Sequence, residues 1–403
     1  MIRLARYISG FLLLTATLHA QIPPPVIPAG VGVNIHFVEG NEKDLDLIAA
    51  AGFKFVRMDF SWEGTEPKAG AYDWTPYDKL CDHLATRGLR AIYILDYVNA
   101  AYEPMVDTHR PVGEPVPERH VASPRHPESI AAFARWAAAA ARHFRDRAVI
   151  WEIYNEPNGQ FWRPKPDASE YTALALATAK AVKEAEPGAT VIAPALSAFD
   201  FKFLEPFLAS GVLQYLDGVS VHPYRQPTKP PETAARGFKE IRDMINRYAP
   251  ESRRDKIAII SGEWGYSSNR KGVSLETQGD FAVRQQLSNL LNGVPLSIWY
   301  DWKNDGTNAD DGEQNFGVVY PDLTPKPAYT AVREMTRALD GFQLKERVAG
   351  FGAKDYVLLF VKPDGTQKIA AWTLTDPHTI QLDRWKPEVS LELRSRPQYL
   401  PVK

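Results

Sequence analysis

From residue 31 to about residue 340, short runs rich in Val, Ile and Phe alternate with helical patterns. Val31–Phe37, Phe53–Asp59, Leu89–Asp96, Ala148–Tyr154, Thr190–Ala195, Gly218–His222, Lys256–Ser261 and Pro295–Tyr300 read as strands. Helical segments follow them: Lys43–Ala51, Pro76–Arg87, the alanine-rich Pro127–Arg145, Asp167–Glu186, Phe201–Ala209, Thr233–Tyr248, Leu275–Leu291 and Ala328–Leu339. Strands rich in Val and Ile, each followed by a helix, imply parallel pairing through crossovers. Eight such units fit a (β/α)8 TIM barrel of about 250 residues plus insertions. A doubly wound sheet is the competing arrangement. It usually carries a glycine-rich ligand loop after its first strand, and GVNIHFVEGN is not one.

The ends of the chain follow other rules. Residues 1–20 combine Arg3 and Arg6 with an apolar run and end on Ala20, the pattern of a secretory signal peptide. Export to the periplasm or the medium is therefore expected, with a proline-rich leader over residues 21–30. Beyond the leader no run of 18 apolar residues follows, so no membrane association is expected after cleavage. The barrel is expected over residues 31–340 and a small β-rich region over 341–403, with strands at Tyr356–Val361, Lys368–Leu374 and Ser390–Leu393. Asp167 and Glu170 have the spacing of a capping box. A net charge of −2 argues against nucleic acid as a partner. The single cysteine, Cys81, excludes an intrachain disulfide and reads as core packing.

In a barrel of this kind chemistry sits at the C-terminal ends of the strands. Strand four runs AVIWEIYNEPN and ends on Asn155-Glu156-Pro157. Strand seven runs KIAIISGEWGYSS and ends on Glu263-Trp264-Gly265. These strands face each other across an eight-stranded barrel, so the two glutamates should meet over one opening. Glycoside hydrolysis needs such a pair: one carboxyl protonates the leaving oxygen while the other, ionised, attacks or stabilises the sugar cation. Either glutamate alone would more often be a solvated or salt-bridged group. Asn155 beside one and Trp264 beside the other favour the paired reading.

The order Asn-Glu-Pro after strand four and Glu-Trp-Gly after strand seven resembles clan A of the glycoside hydrolases, retaining β-glycosidases. The resemblance implies Glu156 as acid/base, Glu263 as nucleophile and Asn155 as the partner of the sugar 2-hydroxyl. It implies Arg57, at the end of strand two, beside the nucleophile, and His222 and Tyr224 near it after strand six. The segment GTEPKAGAYDWTPYDKL (64–80) resembles the clan's loop after strand two, and Trp299 or Trp302 would be the platform under the reacting sugar. Within the clan, WEIYNEPN and GVNIHF look most like family 39 and related bacterial exopolysaccharide glycosidases.

Further candidates end other strands. His36 has two readings, a partner for a substrate hydroxyl or an imidazole satisfied inside the barrel, and Asp96 and Tyr97 are placed to line the subsite. The long loop Val98–Pro127 reads as a wall of the cleft, and the polar stretch Lys303–Asn315 as the matching loop after strand eight. No H-x-H, H-E-x-x-H or G-x-S-x-G spacing is present, so neither a metal hydrolase nor a serine esterase is expected, and no cofactor is required. The expected protein is thus a secreted, monomeric retaining β-glycosidase acting on an oligo- or polysaccharide. A family 5-like endo-glucanase or mannanase and a non-catalytic sugar-binding barrel are the alternatives. Burial and the facing charge should raise the proton affinity of Glu156.

Overall fold

The computed structural model describes residues 22–108, 118–385 and 389–402. The segment read as an export leader, residues 1–20, lies outside them. Eight strands close a parallel barrel: β1 (Val31–Asn34), β2 (Phe55–Ser61), β3 (Arg90–Asp96), β4 (Ile150–Ile153), β5 (Thr190–Ser197), β6 (Gly218–His222), β7 (Ala258–Trp264) and β8 (Leu296–Trp299). Each pairs with its sequence neighbours, and β8 closes on β1. The helices α1 (Glu42–Ala50), α2 (Thr75–Ala85), α3 (Pro127–His143), α4 (Ala168–Ala185), α5 (Phe201–Ala209), α6 (Ala235–Tyr248), α7 (Leu275–Leu291) and α8 (Pro327–Ala338) alternate with them. The expected (β/α)8 barrel is therefore the fold.

Strand alternation decides what fills the barrel. Phe55, Ile92, Ile150, Ile192, Ile260, Leu296 and Ile298 point inward and form one apolar plug. Two residues further along β2 and β4, the same inward face carries Arg57 and Glu152, both fully buried. The other faces pack against the helices, including α3, whose Ala132, Ala137, Ala140 and Ala141 allow close approach. Asp167 caps α4 through Ser169 N and Glu170 N. The reciprocal half of the expected box is absent, because the Glu170 carboxylate accepts the indole N–H of Trp162 at 3.0 Å.

Part of the proline-rich leader is folded in. Ile27 N–H donates to Phe342 O and Gly341 N–H to Ile27 O, which ties the entry of the barrel to its exit. Beyond that exit lie β9 (Gln343–Arg347), β10 (Asp355–Val361), β11 (Gln367–Thr373), β12 (His378–Leu382), β13 (Val389–Leu393) and β14 (Gln398–Val402). They form a four-stranded antiparallel sheet, β9-β10-β11-β14, and a β12-β13 hairpin around a core of their own. Three of these strands were not anticipated. β9 (QLKER) is a charged edge, β12 (HTIQL) is largely polar, and β14 contains Pro401, which an edge strand tolerates. Among the described residues no helix is long and apolar enough to cross a membrane.

One buried ion pair locks this appendage to the barrel. Arg284 on α7 donates Nε–H and Nη2–H to the two oxygens of Glu232, each at 2.8 Å, in the loop after β6. Trp372 of β11 donates its indole N–H to the same carboxylate at 2.7 Å. Glu232→Ala strands the Arg284 charge away from water, and the expected loss is about 3–5 kcal/mol, read as a lower urea midpoint of the whole chain. A loss under about 1 kcal/mol would mean that water reaches Arg284.

Candidate active site

The site is built around Arg57. Its guanidinium is fully buried in the barrel, and all five N–H groups have an acceptor. Nε–H meets Glu152 Oε2 at 2.6 Å. Nη1 donates to Glu263 Oε2 at 2.7 Å and Asn34 Oδ1 at 3.2 Å. Nη2 donates to Asn155 Oδ1 at 2.8 Å and to His222 Nε2 at 3.2 Å. Arg57 sits in the middle of β2, not at its end, so it supports the opening from below.

Because arginine only donates, these contacts fix the far ends of its partners. Nε2 of His222 must accept, so a neutral imidazole carries its proton on Nδ1 and gives it to Glu156 Oε1 at 2.9 Å. Oδ1 of Asn155 is taken, so its amide N–H groups are turned towards the Tyr97 hydroxyl and the cleft. On the other carboxylate, Tyr224 donates its hydroxyl to Glu263 Oε1 at 2.7 Å. Gly262, just before Glu263, makes room for this arrangement. A Cβ there would lie 3.1 Å from Glu152 Oε1 and 3.4 Å from the His222 ring.

The two carboxylates meet over the opening. One oxygen each of Glu156 and Glu263 and a ring nitrogen of His222 all lie within 4.8 Å of one another. This spacing also suits a divalent cation, but the Nδ1 proton would have to be displaced beside the Arg57 charge. Glu156 is presented by an irregular turn, with φ of 67° at Tyr154 and 45° at Glu156, both left-handed. Such a conformation costs a non-glycine residue about 1–2 kcal/mol, and Glu156 N–H is held by Ala195 O at 3.0 Å.

Electrostatics corrects one expectation. Burial does push the Glu156 carboxyl upward, but the hydrogen bond and electrostatic pull of the His222 N–H, the charge of Arg57 and a hydrogen bond from Ser197 outweigh it. Its proton affinity lies below the ordinary carboxylate range. Burial and Glu263 hold the Tyr224 hydroxyl well above its usual value, so it stays a donor. His36 is half exposed; burial lowers it, yet Asp301, with help from Asp305 and Asp59, leaves it raised.

A cleft of about 580 Å³ opens above these groups. Glu156, Glu263, Asn155, Arg57, His36 and Tyr224 line it, and His222 lies directly beneath Glu156. Asp96 and the tryptophans do not. Ile298 belongs to the inward plug, so Trp299 points outward and donates to Phe316 O. Trp302 is buried and donates to Asp44, and Trp264 is buried against Tyr266 with Arg225 over its ring. Asp96 is buried behind Asp59.

The aromatic walls come from other residues: Tyr97 stacked on Phe161 at 5.4 Å, and Tyr300 edge-on to Phe316 at 5.3 Å. Tyr97 was anticipated. Tyr300 was legible as the next inward position after Ile298, whereas Phe161 and Phe316 sit in loops without periodicity. Among the described residues, none of Val98–Pro127 lines the cleft. That loop instead brings Glu103 to the backbone N–H groups of Arg125 and His126 at the start of α3. The loop after β8 does contribute, through Glu313.

A family profile described as Cellulase (glycosyl hydrolase family 5) matches residues 28–306. The chain belongs to this family. It is accordingly a glycoside hydrolase of clan A. No curated protein matches it in sequence. Among solved structures, a family 39 glycoside hydrolase from Bacteroides cellulosilyticus WH2 is similar at 24 % identity and a TM-score of 0.78, covering 94 % of this chain and 81 % of that one. A family 39 β-xylosidase from Caulobacter crescentus shares 19 % identity with a TM-score of 0.63, over 90 % of this chain and 81 % of its own. The likeness to family 39 is thus one of fold, while the sequence match is to family 5.

The candidate site gives a direct test of its wiring. In His222→Ala the donor to Glu156 is gone and burial remains, so the Glu156 pKa should rise, followed by carbon-13 NMR of its carboxyl. No change would show that His222 does not control this carboxylate.

Proposed function

We propose that the protein is a secreted, monomeric retaining β-glycosidase acting on an oligo- or polysaccharide, with Glu156 as acid/base and Glu263 as nucleophile. The observation that carries this reading is the separation of the two carboxylates. Retaining enzymes hold them roughly 5–5.5 Å apart and inverting ones roughly 6.5–9.5 Å, to admit a water. One oxygen of each lies within 4.8 Å of the other, which supports the closer, retaining spacing. Secretion rests on residues 1–20. The β-xylosidase of similar fold supports a β-linked substrate.

In the first step Glu156 gives its proton to the glycosidic oxygen while Glu263 attacks the anomeric carbon. The carbon–oxygen bond to the aglycone breaks and the aglycone leaves as an alcohol. In the second step water loses a proton to Glu156 and displaces Glu263, which restores both groups. Arg57 and Tyr224 contact the Glu263 oxygens throughout, so they stabilise the charge that returns when the intermediate breaks down. An amide N–H of Asn155 meets the sugar 2-hydroxyl.

Glu156 is low in the free enzyme yet must hold a proton at the first step. Bound sugar excludes water and leaves the Glu263 charge opposite it less screened, and both effects raise Glu156. The alkaline limb of kcat/KM, which reports the free enzyme, should therefore fall at lower pH than that of kcat. Coincident limbs would mean that substrate does not move Glu156.

Roles are separated by azide rescue. Glu156→Ala should still cleave aryl glycosides with good leaving groups, and azide should then yield a glycosyl azide of retained configuration. In Glu263→Ala azide replaces the nucleophile and the product should be inverted. Product anomers seen by NMR in the opposite pattern would exchange the two assignments.

A further inference from the structure

Two acidic groups beside the cleft take no part in the steps above. Asp59 lies on β2 two residues beyond Arg57, on the same inward face, and its exposed carboxylate borders the cleft. Asp96, the last residue of β3, is its diagonal neighbour: Asp59 is paired with Ile94, and Asp96 with Ser61. Asp96 is 1 % exposed, and neither of its oxygens meets an N–H group or a hydroxyl among the described residues. Its carboxyl instead faces that of Asp59 across the β2–β3 pair.

Two carboxyl groups can bond only if one keeps a proton. Burial pushes Asp96 well above the ordinary range, and the charges of Asp59 and Glu152 add to this while Arg57 opposes it. The other groups that face it, Tyr77, Tyr97 and Tyr154, are tyrosines whose own values are raised by burial. A proton kept on Asp96 is placed to be donated to the Asp59 carboxylate. That bond fills one of about four acceptor sites on Asp59, and the exposed side borders the cleft.

Position tells which sugar it meets. Glu156 stands on the β4 side of the opening with Gln160 and Ser197, where the leaving group departs. Asp59 stands on the side of the opening formed by β1 and β2, beside Asn34 and His36, and away from β5, which carries Ser197. We propose that Asp59 is a specificity-determining residue that accepts a hydrogen bond from a ring hydroxyl of the glycone, and that Asp96 positions its carboxylate from behind. This rests on the assignment of Glu156 and Glu263, which defines the glycone side. A charged acceptor facing a hydroxyl makes a strong bond, and a site built for it rejects a sugar that lacks the group.

The test uses the aryl β-glycoside that the enzyme cleaves best, with its monodeoxy analogues at each ring hydroxyl except C2. In the wild type one analogue should lose roughly 10- to 100-fold in kcat/KM. Asp59→Ala should lose a similar factor on the parent and nothing further on that analogue. Asp96→Ala should weaken the discrimination, whereas Asp96→Asn, whose amide N–H still donates, should retain it. If Asp59→Ala still rejects every analogue as the wild type does, the role of Asp59 is overturned and the catalytic assignment stands. If Asp96→Asn behaves like Asp96→Ala, the role of Asp96 is overturned. A wild type inert toward every aryl glycoside overturns the catalytic reading and this inference with it.

Discussion

A guanidinium buried at the centre of a barrel is tolerable only if its charge is countered and all its donors are used, since breaking a buried pair costs about 3–5 kcal/mol. Arg57 meets both conditions through five residues on four strands or their ends: Asn34, Glu152, Asn155, His222 and Glu263. The plug beneath it is apolar, so the ionic layer starts abruptly one inward position higher. Since arginine cannot accept, this one side chain sets the orientation of every partner. It touches Glu263 directly and reaches Glu156 through the imidazole of His222. Both carboxylates are therefore positioned by the same cation, although they rise from opposite sides of the barrel.

What stands above that layer is less relaxed. The left-handed residues Tyr154 and Glu156 store strain at the tip of β4, held by Ala195 O and by the rigid core below. The loop after β6 carries Tyr224 towards Glu263 and continues to Glu232, where Arg284 and Trp372 hold it. The C-terminal sheet is thus joined to the loop that supplies one donor to the candidate nucleophile.

Much of this was legible in residue order. The strands and helices of the barrel follow from periodicity, and Gly218–His222, Phe201–Ala209 and Leu275–Leu291 have the bounds expected of them. Glu156 and Glu263 were legible because each ends an apolar strand with a polar group. The aromatic walls of the cleft were legible only in part. Trp299 looked suited by chemistry, but Ile298 had already taken the inward position, so the indole faces α7 and the loop beyond β8. Phe161 and Phe316 gave no signal, because loops lack a repeating face.

Residue order by itself determined the alternation of strand and helix, the burial of the plug and the placing of two glutamates at the tips of strands four and seven. These are local properties, set by a period of two or of 3.6 along the chain. Only tertiary structure decided the ionisation of Glu156, the tautomer of His222 and the pairing of Asp59 with Asp96. Each depends on groups far apart in sequence, and electrostatic energy is governed by distance through the protein interior rather than by position along the backbone.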